Sequence, residues 1–222
     1  MKARIGYAAW VLGVVQFFVV QVVVGSAWAA TPYSWMDNNI SDLGNALCAT
    51  QSEPEPRYIC SPRHDLMNFS FVALGVLLVV GVVLTGRALW RRGAGAGIAR
   101  GLLAAAGVGF ALAGLAPADV DENQHVLGAL LIMALGNIGL VAAGFALTDT
   151  VPAALRRAAG VLGVVAFAAL ALFLSRTYLG LGMGGMERVA AFPLLLWAGA
   201  VGAYGLRGAA TARAEAYGRV RP

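Results

Sequence analysis

Six long stretches without a charged residue divide the chain, and short polar segments separate them. Each stretch is close to the roughly 20 apolar residues that a helix needs to cross about 30 Å of hydrocarbon. Only helices and closed barrels satisfy the backbone there, and such continuous apolar runs do not alternate as barrel strands do. The pattern predicts an all-α polytopic membrane protein, a six-transmembrane-helix bundle in one integral membrane domain over residues 1–222. The predicted helices cover residues 7–30, 64–87, 99–116, 124–148, 156–175 and 188–207.

Composition agrees with this class, because 59% of the residues are hydrophobic and only 12% are charged. Ala27-Trp28-Ala29 imitates a signal-peptidase site. The apolar stretch before it is longer than the 7–15 residues usual for the core of a signal peptide. We therefore interpret residues 1–30 as an uncleaved anchor.

The charges are distributed by side of the membrane rather than in a patch. With the N-terminus in the cytoplasm, twelve of the sixteen Lys and Arg residues lie inside and nine of the eleven acids lie outside. This distribution follows the positive-inside rule. It predicts an N-in, C-in protein of the cell membrane, with the main loop extracytoplasmic, and it argues against a nucleic-acid partner despite the net charge of +5.

The loop over residues 31–63 holds the only two cysteines, Cys48 and Cys60. An even number of cysteines in an oxidising compartment predicts a disulfide. The sequence Ser61-Pro62 predicts that the second helix starts there, with serine as N-cap and proline at the first helical position.

Polar side chains gather at the outer ends of the predicted helices. A compact bundle would bring these ends together at one opening. Both histidines of the chain are among these polar side chains. The candidate residues are Asn38, Ser41, Asp42, His64, Asp65, Asn68, Asp119, Asp121, His125, Arg176, Glu187 and Arg188.

Three interpretations of this cluster stay open. In the first, His64 and His125 hold a divalent metal such as Zn²⁺, and Asp42, Asp65 or Asp121 serves as a ligand or base, so that the site could activate water. In the second, the site binds an anionic headgroup, which Arg176, Arg188 and the N-termini of two helices would contact. In the third, these residues only cap and pack the helices, as Asp121 with Gln124 would in a capping-box-like start.

Four motifs resemble those of a widespread prokaryotic membrane family, known as domain of unknown function 998. The motifs are N-x-I-S-D-L-G at Asn38–Gly44, H-D-x-x-N at His64–Asn68, D-x-x-x-H-x-x-G-A at Asp121–Ala129 and G-M-E-R at Gly185–Arg188. The resemblance covers nearly the whole chain and implies six helices with polar motifs on the outer side. The family is similar in layout to Frag1/DRAM/Sfk1 proteins, which are linked to lipid handling, and more distantly to transmembrane hydrolases that include alkaline ceramidases. Those use three histidines, whereas this chain has two.

The functional hypothesis is an outward-facing polar pocket that binds a lipid headgroup or lipid-linked molecule. Asn38, Ser41, Asn68, Arg176, Glu187 and Arg188 are its predicted ligand-binding residues. The protein would act as an accessory of the envelope or of a membrane complex, with membrane lipid and a membrane protein as its partners. The alternatives are a metal-dependent hydrolase acting on such a lipid and a structural subunit of a membrane complex.

Overall fold

Six long helices form the structure, which is a computed structural model that describes residues 1–29, 31–52 and 56–218, with side chains up to residue 208. The helices are α1 (Lys2–Gly25), α2 (His64–Leu89), α3 (Ala94–Leu115), α4 (Glu122–Ala146), α5 (Ala153–Leu174) and α6 (Gly182–Gly218). All six are long and apolar enough to cross a membrane, α6 over Gly182–Gly208. The predicted class, an all-α polytopic membrane bundle, is confirmed.

The helices are arranged as a closed ring. Each one packs against the next in sequence, and α6 returns to pack against α1. Successive helices run in opposite directions, so the bundle has two ends. We call the end formed by residues 26–29, 31–52, 56–63, 116–121 and 175–181 the loop end. The opposite end is the arginine end, which comprises residues 90–93 and 147–152 and the adjoining helix ends that carry Arg4, Arg87, Arg156 and Arg157.

Small and aromatic residues bring the helices together. A Cβ added to Gly75 of α2 would lie 2.4 Å from the carbonyl oxygen of Gly107 on α3, so these backbones touch directly. Where α1 meets α6, the rings of Trp10 and Trp197 are 5.8 Å apart, and the Trp10 indole donates to the carbonyl of Leu78. Close backbone approach matters here because lipid offers no hydrophobic drive for helix association.

Several helix boundaries differ from the predicted ones, and tertiary contacts explain two of these differences. Helix α1 ends at Gly25 rather than near residue 30, since the chain turns back and packs the rings of Trp28 and Tyr33 together at 5.1 Å. Helix α6 begins at Gly182 rather than at residue 188. Gly182 adopts φ +72, and the amide of Gly185 donates to the carbonyl of Met36, which extends the helix by two turns.

The long loop before α2 has its own small framework. A 3₁₀ turn, Ser41–Gly44, precedes an antiparallel pair of strands, β1 (Ala49–Gln51) and β2 (Arg57–Ile59). The Cys48–Cys60 disulfide closes the base of this hairpin, so the predicted disulfide is present.

The predicted cap of α2 is wrong, because the helix begins at His64 and the Ser61 hydroxyl instead donates to the carbonyl of Leu43 at 2.7 Å. Some charged residues used for the predicted orientation have side chains outside the described part of the chain. These are Glu53, Glu55, Arg213, Glu215, Arg219 and Arg221.

Candidate functional site

Asp42 is the central acid of the loop end. It is 2% exposed, and both of its carboxylate oxygens accept from the Arg57 guanidinium, at 2.9 and 3.0 Å. Oδ2 also accepts from the Asn38 side chain and from the backbone amide of Asn39. A bidentate pair with two further donors is the arrangement that a buried carboxylate requires. Asp42 and Asn38 therefore fold the loop onto itself.

Arg188 attaches this loop to α6. Its Nη1 donates to the carbonyls of Trp35 and Asn38 and to that of Gly184 in its own helix. Nη2 donates to the hydroxyl of Tyr33, and the guanidinium lies 5.1 Å from the centre of the Trp35 ring. These bonds occupy both terminal nitrogens, so the structure uses Arg188 to hold the loop.

Tyr33 completes the attachment as a neutral phenol. Its hydroxyl donates to the carbonyl of Asn39 at 2.8 Å. Burial raises the pKa of Tyr33 far above its ordinary value of about 10, although the Arg188 charge lowers it in part. The hydroxyl therefore keeps its proton and can donate throughout the physiological pH range.

Two more acids bind backbone amides of the same loop. Glu187 of α6 accepts from the amide of Ile40 at 2.5 Å, and Asp119, before α4, accepts from the amides of Ala46 and Leu47. Asn68 of α2 donates to the carbonyl of Gly44 at 2.9 Å. Three separate helices or their ends thus hold the loop by its main chain.

A small cavity lies beneath this loop, between the helices. Its polar lining consists of Ser41, His125 and Glu187, and its aromatic lining consists of Phe17, Phe71, Phe110 and Phe192. Phe17 and Phe71 meet edge to face with ring centres 5.0 Å apart. The volume is about 30 Å³, which is room for one or two water molecules or for a small end group of a larger ligand.

Two polar side chains that line this cavity can accept a hydrogen bond from a guest. His125 Nδ1 lies 2.9 Å from the carbonyl of Ala116, which makes Nδ1 the donor and leaves Nε2 as an acceptor in the neutral ring. Glu187 uses Oε2 for the amide of Ile40, and its other oxygen has no donor among the described residues. The cavity thus offers two acceptors and one hydroxyl.

His64 and Asp121, which were predicted for the metal site, have other hydrogen-bond partners. His64 Nδ1 bonds with the carbonyl of Ser61, and its Nε2 lies 3.3 Å from the exposed carboxylate of Asp65. Asp121 caps α4 by accepting from the backbone and side chain of Gln124, as the capping interpretation expected. Among the described residues, no three His, Cys, Asp or Glu side chains are grouped closely enough to hold one metal ion.

Arg176 lies apart from the cavity, in the exposed turn between α5 and α6. Its backbone has φ 58, the left-handed region that non-glycine residues seldom adopt. Of the predicted ligand-binding residues, the cavity brings together Ser41 and Glu187, and it adds His125 from the predicted metal set.

Sequence reasoning missed two groups of residues at this end. Arg57, the partner of Asp42, lies between the cysteines, where a surface role was the simpler expectation. The four phenylalanines lie inside predicted spans, where aromatic residues carry no distinguishing signal. The one clue is that Phe71 and Phe192 belong to helices that begin with a polar motif at the loop end.

The ring of six apolar helices with a tethered, disulfide-closed loop defines a multi-pass membrane protein. Residues 11–204 match the family model described as Protein of unknown function (DUF998), and the chain belongs to that family. No curated protein and no solved structure matched the chain.

Proposed function

We propose that this protein binds the headgroup of a lipid or lipid-linked molecule at the loop end, as an accessory of the membrane or of a complex within it. The observation that carries the proposal is the cavity lined by Ser41, His125 and Glu187 above four phenylalanines. A pocket with apolar walls and a few convergent polar groups is the usual form of a ligand site.

The proposed ligand enters with a small donor group. The volume admits a hydroxyl or a primary ammonium, and the acceptors on Glu187 and His125 suit both. Four aromatic rings favour a cation further, so the group proposed to enter is a primary ammonium. In this proposal Arg188 positions the loop above the ligand, and its guanidinium does not contact the headgroup.

The proposed orientation places the loop end outside the cell membrane. The support is the excess of Lys and Arg at the other end of the bundle, which follows the positive-inside rule. The ligand would then come from the outer leaflet.

Binding of two matched lipids tests the proposal. Delipidated protein in mild detergent is titrated with dioleoyl phosphatidylethanolamine or dioleoyl phosphatidylcholine and followed by native mass spectrometry. The two lipids differ only in N-methylation, which removes the N–H donors. Because a hydrogen bond to a charged group contributes about 1.5–3 kcal/mol, phosphatidylethanolamine should bind about tenfold more tightly or better.

Two variants localise the effect. Ala129→Val adds two methyl groups at the cavity wall, and Glu187→Gln replaces the carboxyl group with an amide, so each should abolish the preference. The matched control is Asp65→Asn, an exposed acid at the same end. Equal binding of both lipids to the natural protein, or a preference unchanged by Ala129→Val, would refute the proposal.

A further inference from the structure

One exposed aromatic side chain lies between two grooves at the arginine end. Phe145 of α4 is 79% exposed and lines both grooves. The larger groove, between α4 and α5, holds about 620 Å³, and the smaller, between α3 and α4, holds about 380 Å³. Both run along membrane-spanning helices, so lipid is the solvent that faces them.

Each groove ends at a pair of arginines. Arg156 and Arg157 line the larger groove, and Arg91 and Arg92 line the smaller one. Four guanidinium groups therefore flank Phe145 where the spans meet the loops.

Asp149 brings the two arginine pairs together. Its Oδ1 accepts from both Arg91 and Arg156. Two hydrogen bonds of about 3 Å to one oxygen place the donor nitrogens at most about 6 Å apart, which one phosphate can bridge. Hydrogen bonds from Arg156 and Arg91 lower the pKa of Asp149, so this acid stays ionised and offsets one of the four positive charges.

The other two arginines retain donors for a ligand. Arg92 is exposed and has no acidic partner among the described residues. Arg157 is also exposed, and its contact is one long bond of 3.4 Å from Nε to the carbonyl of Ala153. Planar guanidinium groups match phosphate oxygens in pairs.

We propose that one anionic phospholipid binds at the arginine end, with its phosphate among Arg91, Arg92, Arg156 and Arg157 and its two acyl chains on either side of Phe145. The charge of the arginines selects a net negative headgroup, and the two grooves receive the two chains. This site is at the opposite end of the bundle from the proposed headgroup pocket and does not depend on it.

The test compares lipids of different charge with equal chains. Native mass spectrometry measures binding of dioleoyl phosphatidylglycerol and of dioleoyl phosphatidylcholine to the delipidated full chain. The natural protein should prefer phosphatidylglycerol by about tenfold or more, because each basic residue contributes about fivefold near an anionic lipid.

Two variants separate this site from a diffuse effect of positive charge. Arg92→Gln with Arg157→Gln removes two guanidinium groups and leaves both bonds to Asp149 in place. Gly160→Leu places a side chain in the larger groove, at a position where an added Cβ meets no other heavy atom within 4 Å. The double arginine variant should lose most of the preference, since each arginine removed contributes about fivefold. Gly160→Leu should instead weaken the binding of phosphatidylglycerol itself, because it obstructs the groove of one acyl chain.

Each variant has a matched control: two other arginines for the double arginine variant, and another glycine with open space around it for Gly160→Leu. Arg4→Gln with Arg87→Gln removes two exposed arginine-end charges that line neither groove, and Gly101→Leu adds the same side chain at another open glycine. Both controls should keep the preference and the affinity for phosphatidylglycerol. A preference unchanged in Arg92→Gln/Arg157→Gln, or phosphatidylglycerol binding unchanged in Gly160→Leu, overturns the proposal, as does an equal loss in the controls.

Discussion

At the scale of single residues, Asp42 is the buried acid that binds the loop end together. Its carboxylate is buried, pairs with Arg57 through both oxygens, and accepts from Asn38 and the amide of Asn39. Removing one member of such a pair leaves the other charge buried without compensation, which typically costs about 3–5 kcal/mol.

We therefore expect Asp42→Ala to lower the thermal unfolding temperature strongly and to release the loop. Tryptophan fluorescence during heating in detergent measures the first effect, and limited proteolysis within residues 31–63 measures the second. Asp65→Ala is the control, because its carboxylate is exposed and its side chain is 96% accessible. Equal melting temperatures for the two variants would contradict the role assigned to Asp42.

At the scale of helices, small residues decide how the ring closes. An added Cβ at Gly75 would lie 2.4 Å from the carbonyl oxygen of Gly107 and 2.6 Å from the amide nitrogen of Ala111. Both atoms belong to the α3 backbone, which can yield only by moving the helix. Overpacking of this kind costs about 1–3 kcal/mol or more.

Gly75→Ala should therefore destabilise the protein, as measured by thermal unfolding in detergent. Gly97→Ala, the same change on α3, should leave stability equal or slightly higher, since an added Cβ there meets no other heavy atom within 4 Å and alanine favours helix by about 1 kcal/mol. If both changes had the same sign and size, the direct contact of α2 with α3 would be refuted.

At the scale of the whole molecule, the ring has two chemically different ends. The loop end carries the disulfide and the acids that bind the loop, whereas the arginine end carries clustered Arg residues. Since the positive-inside rule relates such asymmetry to orientation, we propose that the loop end faces outward.

Chemical labelling of one introduced cysteine at a time tests this orientation. Thr31→Cys places an exposed thiol at the loop end, and Thr150→Cys places one at the arginine end. The native cysteines are paired in the disulfide and do not compete for label. A membrane-impermeant maleimide added to intact cells should modify Thr31→Cys alone, and permeabilisation should expose Thr150→Cys. The reverse pattern would overturn the proposed orientation.

Much of the architecture was predictable because the bilayer imposes simple requirements on sequence. A span must be long, apolar and helical, so charge-free stretches locate six helices without knowledge of their neighbours. The disulfide was equally predictable, since a chain with two cysteines in one loop allows one pairing. The capping role of Asp121 was one of the interpretations that its spacing to Gln124 left open.

Contacts between distant segments were not predictable in this way. Glu187 binds the amide of Ile40 across 147 positions of sequence, and Arg188 reaches Tyr33 across 155. The glycine-rich stretch before Glu187 was predicted as a loop, but contact with Met36 makes it helical. Local pattern contains no information about these partners.

The sequence by itself thus determined the class of the protein, the number of its spans and the end at which polar residues gather. Apolar length and charge are local properties of the sequence, and the membrane places its requirements on these properties. Only the tertiary structure decided which polar residues hold the loop and which face the cavity. Asp42 and Arg188 belong to the first group and His125 to the second, although all three lie in the polar segments at one end. The difference depends on the packing of a closed ring, in which α6 meets α1 and completes a cavity that no single segment encodes.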